Sequence, residues 1–501
     1  MNIRVRYAPS PTGLQHIGGI RTALFNYLFA RSGGGKFLLR LEDTDQSRCD
    51  AACEQNLYDS LAWLGIQWDE GPVCGGPFAP YIQSQRTELY RKYAQELLEK
   101  GHAYRCFCTA ERLDQVRSQR EAAKLSESGY DRNCRNIDSK ESRRRSLSES
   151  YTIRLYIPLE NEITSFSDKL LGDIEWKNSD INPDPVLLKS DGFPTYHLAN
   201  VVDDHFMEIT HILRAQEWLS STPIHVILYK AFGWTAPVFC HLPMVMGQDG
   251  KKLSKRHGAT SVDEFRRSGY LPEALINYTA LLGCSYEEGK DIYTIEELGK
   301  LFTLDKINKA SAIFDYKKLE WYNGQYIRKK TNEELAELSM PFALEQGLFG
   351  KDDTEAQQPT TDQKALYTAA MELVRERAVF LAEIPEKLGY LFSDPPQPPA
   401  EEFIPKKADL KTALAMLRTG AELLLQFFPD NTAISDEAME NIVKQTAEQN
   451  NIKLGDLLMP LRVAITGARV SPPLFASIRL LGAESCQARI EAAITALEAG
   501  L

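Results

Sequence analysis

The sequence has no long hydrophobic run. In its 501 residues, no stretch approaches the roughly 18–20 apolar residues that a helix needs to cross a bilayer. The opening MNIRVRYAPSPTG also lacks the apolar core and the small-residue cleavage site of a signal peptide. These absences argue against membrane insertion and secretion. We therefore expect a cytoplasmic protein with no membrane partner.

Cysteine is scarce as well. The nine cysteines are too few and too scattered for a disulfide scaffold in a chain of this length, which indicates a reducing compartment. Six of them stand alone in the sequence and are typical of ordinary reduced thiols. Cys106, Cys108 and Cys134 are the exception, because their spacing forms a pattern that metal sites use.

Basic residues are outnumbered but unevenly placed. The chain carries 58 Lys and Arg against 69 Asp and Glu, a formal net charge of −11, which argues against a dedicated polyanion binder. However, no acidic residue precedes Glu42, and residues 112–145 contain ten basic and six acidic side chains. Binding responds to local fields, so an acidic protein with basic faces is compatible with nucleic acid.

The N-terminal pattern predicts a strand, a helix and a second strand. Ile3, Val5 and Tyr7 alternate with arginines, as in a strand with one buried face. A Pro- and Gly-containing turn leads into a helical pattern that ends at the glycines of residues 33–35, and residues 37–41 form a short apolar strand. This β-α-β order favours a parallel sheet with helices on its faces.

The remaining chain changes character along its length. Further α/β pattern occupies residues 186–246, where apolar segments at 207–213 and 238–246 predict strands. Between the two α/β parts we expect an insertion with one mobile arginine-rich loop near residues 126–150. From about residue 331 the pattern is helical, interrupted by the SDPPQPP segment at 393–399.

Two segments carry the chemistry. APSPTGLQHIGG lies between the first strand and the first helix, where backbone amides and the helix dipole form a natural phosphate site. It is neither GxGxxG nor a Walker loop, which argues against a dinucleotide-dependent dehydrogenase and a P-loop ATPase. KKLSKRHG places lysines on a glycine-flanked loop that can close on a triphosphate. Taken singly, each also fits an ordinary surface turn or a solvated basic run.

Taken together, these segments resemble the two signature motifs of class I aminoacyl-tRNA synthetases. Three further segments resemble sequence motifs of the bacterial glutamyl-tRNA synthetase family: RLEDTD (40–45), PTYHLANVVDDH (194–205) and LRAQEW (213–218). The C-terminal TGARVSPPLFASIRLLG (466–482) is similar to the anticodon-binding end of that family. The resemblance covers essentially the whole chain.

The resemblance implies a function and an architecture. It implies ATP-dependent activation of L-glutamate to glutamyl adenylate, followed by transfer to the 3′-terminal adenosine of tRNA(Glu), with MgATP as substrate and a monomeric enzyme. The fold expected is a doubly wound parallel-sheet α/β catalytic domain with an inserted acceptor-binding domain, followed by an all-α C-terminal half. The expected domains are a catalytic domain at 1–105 and 190–250, an inserted acceptor-end domain at 106–189, a stem-contact domain with the KLSKR loop at 251–330, and helical anticodon-binding subdomains at 331–395 and 396–501.

The same resemblance implies the site residues. His16, Lys252 and Lys255 are the expected catalytic residues. Arg214 would face the side-chain carboxylate of glutamate, with Arg6 contributing positive charge beside it, and Glu42 would face the α-ammonium. The full glutamate set is Arg6, Ala8, Ser10, Glu42, Tyr196, Asn200 and Arg214. The expected ATP set is Pro9, Ser10, His16, Gly18, Gly19, Lys252, Leu253, Ser254, Lys255 and Arg256.

A zinc site is a further expectation. Related bacterial enzymes carry Cys-x-Cys followed by Cys-x-His, a four-ligand zinc knuckle. Here Asn136, a poor zinc ligand, takes the histidine position. Tyr130 resembles a tyrosine that serves as the fourth ligand in a shortened paralogue, so Cys106, Cys108, Cys134 and Tyr130 are the candidate set. A degenerate site with three free thiols is the competing interpretation.

Two competing functions predict different features. A glutaminyl-tRNA synthetase would have a β-barrel anticodon-binding half, and a non-catalytic paralogue would have lost motif residues such as His16 or Arg214. The sequence leaves open whether tRNA(Gln) is charged as well. It also leaves open whether residues 143–145, three successive arginines, contact acceptor-end phosphates or form a solvated loop.

Overall fold

The N-terminal segment forms the predicted parallel β-α-β unit. In a computed structural model of the chain, strand β1 spans Arg4–Tyr7, helix α1 Ile17–Ser32 and strand β2 Lys36–Leu39. The two strands pair in parallel, with Val5 opposite Phe37. Helix α1 packs on these strands and on two later helices, Pro272–Leu281 and Ile295–Leu301, and it is buried around most of its circumference, with residues 23–26 buried in succession.

Two packed units make up the chain. Unit 1 comprises Met1–Phe265 and Pro272–Tyr316, and unit 2 comprises Arg266–Leu271 and Lys317–Leu501. The structure describes residues 2–122, 129–159, 162–350, 358–395, 397–406 and 408–499.

Unit 1 contains all of the strands that the described residues form. After β2 the elements are α2 Ala51–Trp63, α3 Thr87–Glu99, β3 Ala103–Cys106, α4 Ala110–Ala122, α5 Ser139–Arg145, β4 Thr152–Leu155, β5 Ile163–Asp168, β6 Gly172–Lys177, β7 Val186–Leu188, α6 Tyr196–Phe206, β8 His211–Ala215, α7 Thr222–Phe232, β9 Val238–Leu242, β10 Val245–Met246, α8 Val262–Arg267 (whose last two residues belong to unit 2), α9 Pro272–Leu281, α10 Ile295–Leu301 and β11 Ala312–Ile313.

The sheets of unit 1 combine parallel and antiparallel pairs. Strands β8 and β9 pair in parallel within a four-stranded sheet of order β6-β5-β9-β8, and β3-β4-β7 form an antiparallel sheet. Thr210, just before β8, exchanges backbone and side-chain hydrogen bonds with Arg4 of β1. This connection joins the starts of β1 and β8, and the opposite ends of both strands lead into the site described below.

Three local predictions were wrong in detail. The strand predicted at 207–213 begins only at His211, because Met207 ends α6 and Glu208 has a positive φ of 56°. The strand predicted at 238–246 is split into β9 and β10 because Pro243 has no amide to donate. The arginine-rich stretch forms helix α5 rather than a loop, since Asp138 accepts from two amides of its first turn; residues 126–128 of that prediction lie outside the described residues.

Unit 2 is helical, as predicted. Its helices are α11 Tyr316–Arg328 (which begins at the last residue of unit 1), α12 Asn332–Glu345, α13 Thr361–Val374, α14 Ile384–Leu388, α15 Leu410–Phe427, α16 Asp436–Gln449, α17 Leu454–Thr466 and α18 Leu474–Glu498. Apart from the first residues of α11, all of these helices lie in or next to the stretch after residue 331 that is predicted to be helical. The described residues of 393–399 form no helix, as its prolines predict; Pro396 is outside them. The finer domain boundaries stay predictions.

Two whole-chain features bear on the sequence predictions. All nine cysteines lie in the described ranges and are free thiols. Among the described residues, no helix is long and apolar enough to cross a membrane.

Candidate active site

One cavity of about 1260 Å³ in unit 1 collects the residues of both signature segments. Its wall includes the ends of β1 and β8, the start of α1, one face of α6 and the loop after β10. Of the predicted ATP and glutamate residues, those that line it are Arg6, Ala8, Pro9, Ser10, His16, Gly18, Gly19, Glu42, Tyr196, Asn200, Arg214, Lys252, Leu253 and Ser254.

Two predicted residues are not part of that wall as described. Arg256 is exposed and lies 3.4 Å from Asp249, away from the lining. Lys255 begins a short 3-10 turn, Lys255–His257, but its side chain lies outside the described part of the structure.

His16 caps helix α1. Its Nδ1 accepts a hydrogen bond from the Gly18 amide at 3.1 Å. A neutral imidazole that accepts at Nδ1 carries its proton on Nε2. His16 can therefore donate a hydrogen bond into the cavity from the N-terminus of a helix, the end that favours an anion.

Gly19 permits close packing of α1 on β1. A Cβ atom at this position would lie 2.7 Å from the hydroxyl of Tyr7. That hydroxyl donates to Gln15 at 2.9 Å, so it is fixed in the buried floor of the loop. The second glycine of the HIGG segment is thus required by packing as well as by access to the backbone.

The first signature segment is hydrogen-bonded to residues 260–262, which closely follow the second signature segment. The amide of Ile17 donates to the carbonyl of Thr260 at 2.9 Å, and the amide of Val262 donates to the carbonyl of Gln15 at 3.0 Å. His16 and Ser261 form an antiparallel bridge between these bonds. No local pattern in the sequence indicated this role for residues 260–262.

Acidic residues organise the lysine loop. Asp249 accepts from Nε2 of His257 at 3.0 Å and from the Lys251 amide at 2.9 Å. Lys252 forms an ion pair with Glu217, which also lines the cavity. None of Asp249, His257 and Glu217 was predicted, although each lies within or near a motif that was identified.

Arg214, at the end of β8, is held by neutral groups. Its Nη1 donates to the hydroxyl of Tyr196 at 2.9 Å, its Nη2 to Thr222 at 2.7 Å and its Nε to Nε2 of His241 at 3.1 Å. Nδ1 of His225 lies 3.4 Å from Nη1. Within the described part of the chain, no carboxylate oxygen lies within 4 Å of the Arg214 guanidinium. Its positive charge is therefore not neutralised by a direct partner.

Arg6 and Glu42, by contrast, have partners of opposite charge. Arg6 forms a buried two-bond pair with Asp204, at 3.0 and 3.2 Å. Arg40, which is fully buried, bridges Asp204 and Glu42 at 2.7 and 2.9 Å. Asn200 also donates to Glu42 at 3.0 Å. Glu42 is therefore fixed at the cavity wall by two donors.

The histidines around Arg214 are held neutral. Burial lowers the pKa of His197 to about 4, and the charge of Arg214 acts in the same direction. Burial and Arg214 hold the pKa of His225 well below its ordinary value. Burial also lowers the pKa of His241, although its hydrogen bond with Asp168 opposes that shift.

A second cluster lies at the end of β3. The thiol sulfurs of Cys106, Cys108 and Cys134 all lie within 4.8 Å of one another, and the last two are 3.6 Å apart. The hydroxyl of Tyr130 lies 3.3 Å from the sulfur of Cys106 and 3.9 Å from that of Cys108. The three cysteines and Tyr130, which lie up to 28 positions apart in the sequence, thus lie together in one small cluster, as predicted.

The neighbouring arginine run is partly paired. Arg144 forms an ion pair with Glu141, and Arg145 forms one with Glu149 while packing over the ring of Phe107. Arg143 is exposed on the same helix.

Comparison with known proteins identifies the family. The profile for the catalytic domain of class I tRNA synthetases (E and Q) matches residues 2–321, and the profile of an anticodon-binding domain matches residues 334–494. The glutamate–tRNA ligase of Treponema denticola is 57% identical, over 99% of both chains, and that of Dehalococcoides mccartyi is 45% identical, over 99% of this chain and 98% of the relative. Among solved structures, a glutamate tRNA ligase from Elizabethkingia meningosepticum in complex with its amino acid is similar with a TM-score of 0.85 at 34% identity, covering 99% of this chain and 100% of the other.

Proposed function

This chain belongs to the class I tRNA synthetases of the glutamate and glutamine (E and Q) family, and from that premise we propose that it is a glutamate–tRNA ligase. It activates L-glutamate with MgATP to glutamyl adenylate and pyrophosphate. It then transfers the glutamyl group to the 3′-terminal adenosine of tRNA(Glu) and releases AMP.

The placement of Arg214 and Glu42 carries the proposal. Arg214 contacts Tyr196 and Glu42 contacts Asn200, and these two residues lie one turn apart on α6. Side chains at i and i+4 are neighbours about 5–6 Å apart at Cβ. The cavity therefore offers a cation and an anion that are both held by the same face of α6. Arg214 meets the side-chain carboxylate with a planar fork of donors, and Glu42 meets the α-ammonium.

Activation requires no protein nucleophile. The α-carboxylate of glutamate attacks the α-phosphorus of ATP, and pyrophosphate leaves. The enzyme contributes position and charge: the Nε2–H of His16 and the amide of Gly19 face the phosphates from the start of α1, while the Gly18 amide holds Nδ1 of His16. Lys252 and Lys255 close from the loop after β10 and stabilise the charge that develops on the leaving pyrophosphate.

Transfer uses the second substrate. A ribose hydroxyl of the terminal adenosine of tRNA attacks the carbonyl carbon of the adenylate, and AMP leaves. The segment at 106–189 would hold the acceptor end, where Arg143 is an exposed arginine that a phosphate could meet. The helical unit 2 would read the anticodon, since unstacked bases can be recognised by side chains. We propose that the enzyme acts as a monomer in the cytoplasm.

Charging of purified tRNAs tests this function. tRNA(Glu) and tRNA(Gln) are each incubated with labelled glutamate, and labelled glutamine serves as the control amino acid. We expect glutamate on tRNA(Glu) and no glutamine on either tRNA. Glutamate on tRNA(Gln) as well would extend the tRNA range. Glutamine on tRNA(Gln), or no charging of tRNAs that a second enzyme can charge, would overturn the proposal.

We also propose a structural zinc ion at the cysteine cluster. Tetrahedral zinc with bonds of about 2.3 Å to sulfur places its thiolates about 3.8 Å apart, and Cys108 and Cys134 are 3.6 Å apart. Cys106, Cys108, Cys134 and the Tyr130 hydroxyl would hold the ion. Such an ion joins the end of β3 to residues 130–134 and supplies no reactive group.

Metal analysis separates this proposal from a degenerate site. Protein purified without chelator should contain close to one equivalent of zinc, and Tyr130→Phe should reduce zinc retention during dialysis against a weak chelator. Cys240→Ser, at a buried thiol outside the cluster, is the matched control and should keep its zinc. Less than a tenth of an equivalent in the unmodified protein would contradict the proposal.

A further inference from the structure

Behind Arg214, a carboxylate and a histidine form a fully buried pair. Asp168 ends β5 and His241 lies on β9, and neither side chain is exposed. Oδ2 of Asp168 lies 2.7 Å from Nδ1 of His241, and Nε2 of His241 accepts from Nε of Arg214 at 3.1 Å. Neither Asp168 nor His241 lines the cavity. Both act on it only through Arg214.

The contacts determine the tautomer of His241. The Nε–H of Arg214 can only donate, so Nε2 of His241 must accept. Asp168 uses both oxygens as acceptors: Oδ1 takes the amides of Leu170 and Leu171, and Oδ2 takes the amide of His241. Nδ1 of His241 must therefore carry the proton and donate it to Oδ2. The imidazole is neutral and fixed in one orientation.

This arrangement orients Arg214 without neutralising it. A carboxylate in direct contact would offset its charge, as Asp204 does for Arg6. Here the carboxylate of Asp168 is separated from the guanidinium by a neutral ring. Thr222 accepts from the other side of the guanidinium and lies 3.1 Å from Nε2 of His241, which further limits rotation.

We propose that Asp168 and His241 are positioning residues that set the enzyme's preference for a side-chain carboxylate. They aim the uncompensated guanidinium of Arg214 at the carboxylate of glutamate. A ligand with a neutral amide gains less from that charge, so loss of the orientation costs glutamate more than glutamine. This inference rests on the proposed function, in which Arg214 binds the substrate side chain. Asp168 lies in the segment predicted as the inserted domain, which would give that segment a role in amino-acid recognition.

Asp168→Asn tests the tautomer directly. If the NH2 end of the new asparagine faces His241, it donates to Nδ1, and the imidazole proton moves to Nε2. An Nε2–H would then point at the Nε–H of Arg214, so their hydrogen bond is lost. We expect the KM for glutamate to rise about tenfold to a hundredfold, as expected for loss of a hydrogen bond to a charged group, while the KM for ATP stays within about twofold. The ratio of kcat/KM for glutamate over glutamine should fall. Asp173→Asn, at an exposed position on the adjacent strand β6, should leave all values unchanged.

Two substitutions of His241 separate orientation from packing. A glutamine can place its oxygen where Nε2 accepts from Arg214, whereas an asparagine can replace only the donor toward Asp168. We expect His241→Gln to retain a lower KM for glutamate than His241→Asn, with similar thermal unfolding of the two variants. Equal KM values for these variants, or an equal rise in the KM for ATP, would overturn the inference.

Arg214→Ala distinguishes the proposed function from the positioning role. If it leaves the KM for glutamate unchanged, Arg214 does not bind the substrate side chain and the site assignment itself is wrong. If it raises that KM strongly while Asp168→Asn and both His241 variants match the unmodified enzyme, the assignment stands and the positioning role is refuted.

Discussion

The amide of Ile17 donates to the carbonyl oxygen of Thr260 at 2.9 Å, across 243 positions of sequence. This bond joins the start of α1, where His16 faces the cavity, to the chain that leaves the lysine loop. The loop is held at its other side as well, where the Leu253 amide donates to the carbonyl of Val245 at 3.1 Å. The segment that carries Lys255 and Arg256 thus runs between two fixed points.

We predict that Val262→Pro weakens ATP binding. The substitution removes the amide that donates to Gln15 at 3.0 Å. Proline is acceptable at this position because Val262 is the first residue of helix α8. Loss of one net hydrogen bond of about 1 kcal/mol should raise the KM for ATP about fivefold, with little change for glutamate. The measurement is ATP–pyrophosphate exchange with tRNA present.

Val262→Ala is the matched control for this change. It removes the buried side chain but keeps the amide, so any effect of packing appears in both variants. An equal KM for ATP in the proline and alanine variants would show that the bond to Gln15 does not hold the loop.

Gly19→Ala should destabilise unit 1. Alanine is favoured over glycine within a helix by about 1 kcal/mol, so a stabilising effect would be the simple expectation. However, the new Cβ would lie 2.7 Å from the Tyr7 hydroxyl, and overpacking of this kind costs about 1–3 kcal/mol. The free energy of unfolding in urea should therefore fall.

Two further variants isolate the cause of that loss. At Gly18 the nearest atom to a new Cβ is 3.5 Å away, so Gly18→Ala should be neutral or stabilising. Combining Gly19→Ala with Tyr7→Phe removes the hydroxyl and should recover most of the lost stability relative to Tyr7→Phe alone. No recovery would place the strain elsewhere.

The sequence indicated the cavity well because its residues lie in short contiguous motifs. The β-α-β pattern, the helical C-terminal half and the cysteine cluster were each visible in local spacing. Partners that act through tertiary contact were not visible. Asp168 and His241 are 73 residues apart and meet only because β5 and β9 are neighbours in one sheet.

Errors in the strand predictions have a similar origin. Four of the seven residues at 207–213 are apolar, and composition cannot tell a helix end from a strand. The positive φ of Glu208 lets the chain turn between α6 and β8, and no glycine marked that turn. The order of α5 depends on the Asp138 cap, a single side chain in a polar segment.

The ion pair between Lys252 and Glu217 leads to opposite predictions for its two members. Lys252 must leave Glu217 to reach a phosphate, so Glu217→Gln should lower the KM for ATP. Because both side chains are largely exposed, the gain should be at most about fivefold and should shrink at high salt. Lys252→Met should instead reduce the rate of glutamate activation by at least about tenfold. Single-turnover formation of adenylate measures both, and a raised KM for ATP in Glu217→Gln would contradict this account.

Low pH should lower the free energy of unfolding of unit 1, because its buried histidines resist protonation. Burial lowers the pKa of His197 to about 4, below the ordinary value of about 6.5 that it has in the unfolded chain. The unfolded chain therefore binds more protons between these pH values, and the free energy of unfolding falls as pH falls through that range. Each such histidine contributes a slope of up to about 1.4 kcal/mol per pH unit.

His197→Gln should reduce the pH dependence of the free energy of unfolding by the contribution of one titrating histidine. Nδ1 of His197 lies 3.3 Å from Nε2 of His225, and a glutamine can keep a hydrogen bond to that nitrogen without titrating. Urea unfolding is measured between pH 6.5 and 4.5 with tryptophan fluorescence as the readout. This signal reports mainly on unit 1 because five of the six tryptophans lie there. His102→Gln, at an exposed position, controls for the loss of a histidine. An unchanged slope in His197→Gln would mean that His197 is charged in the folded chain, in conflict with its burial next to Arg214.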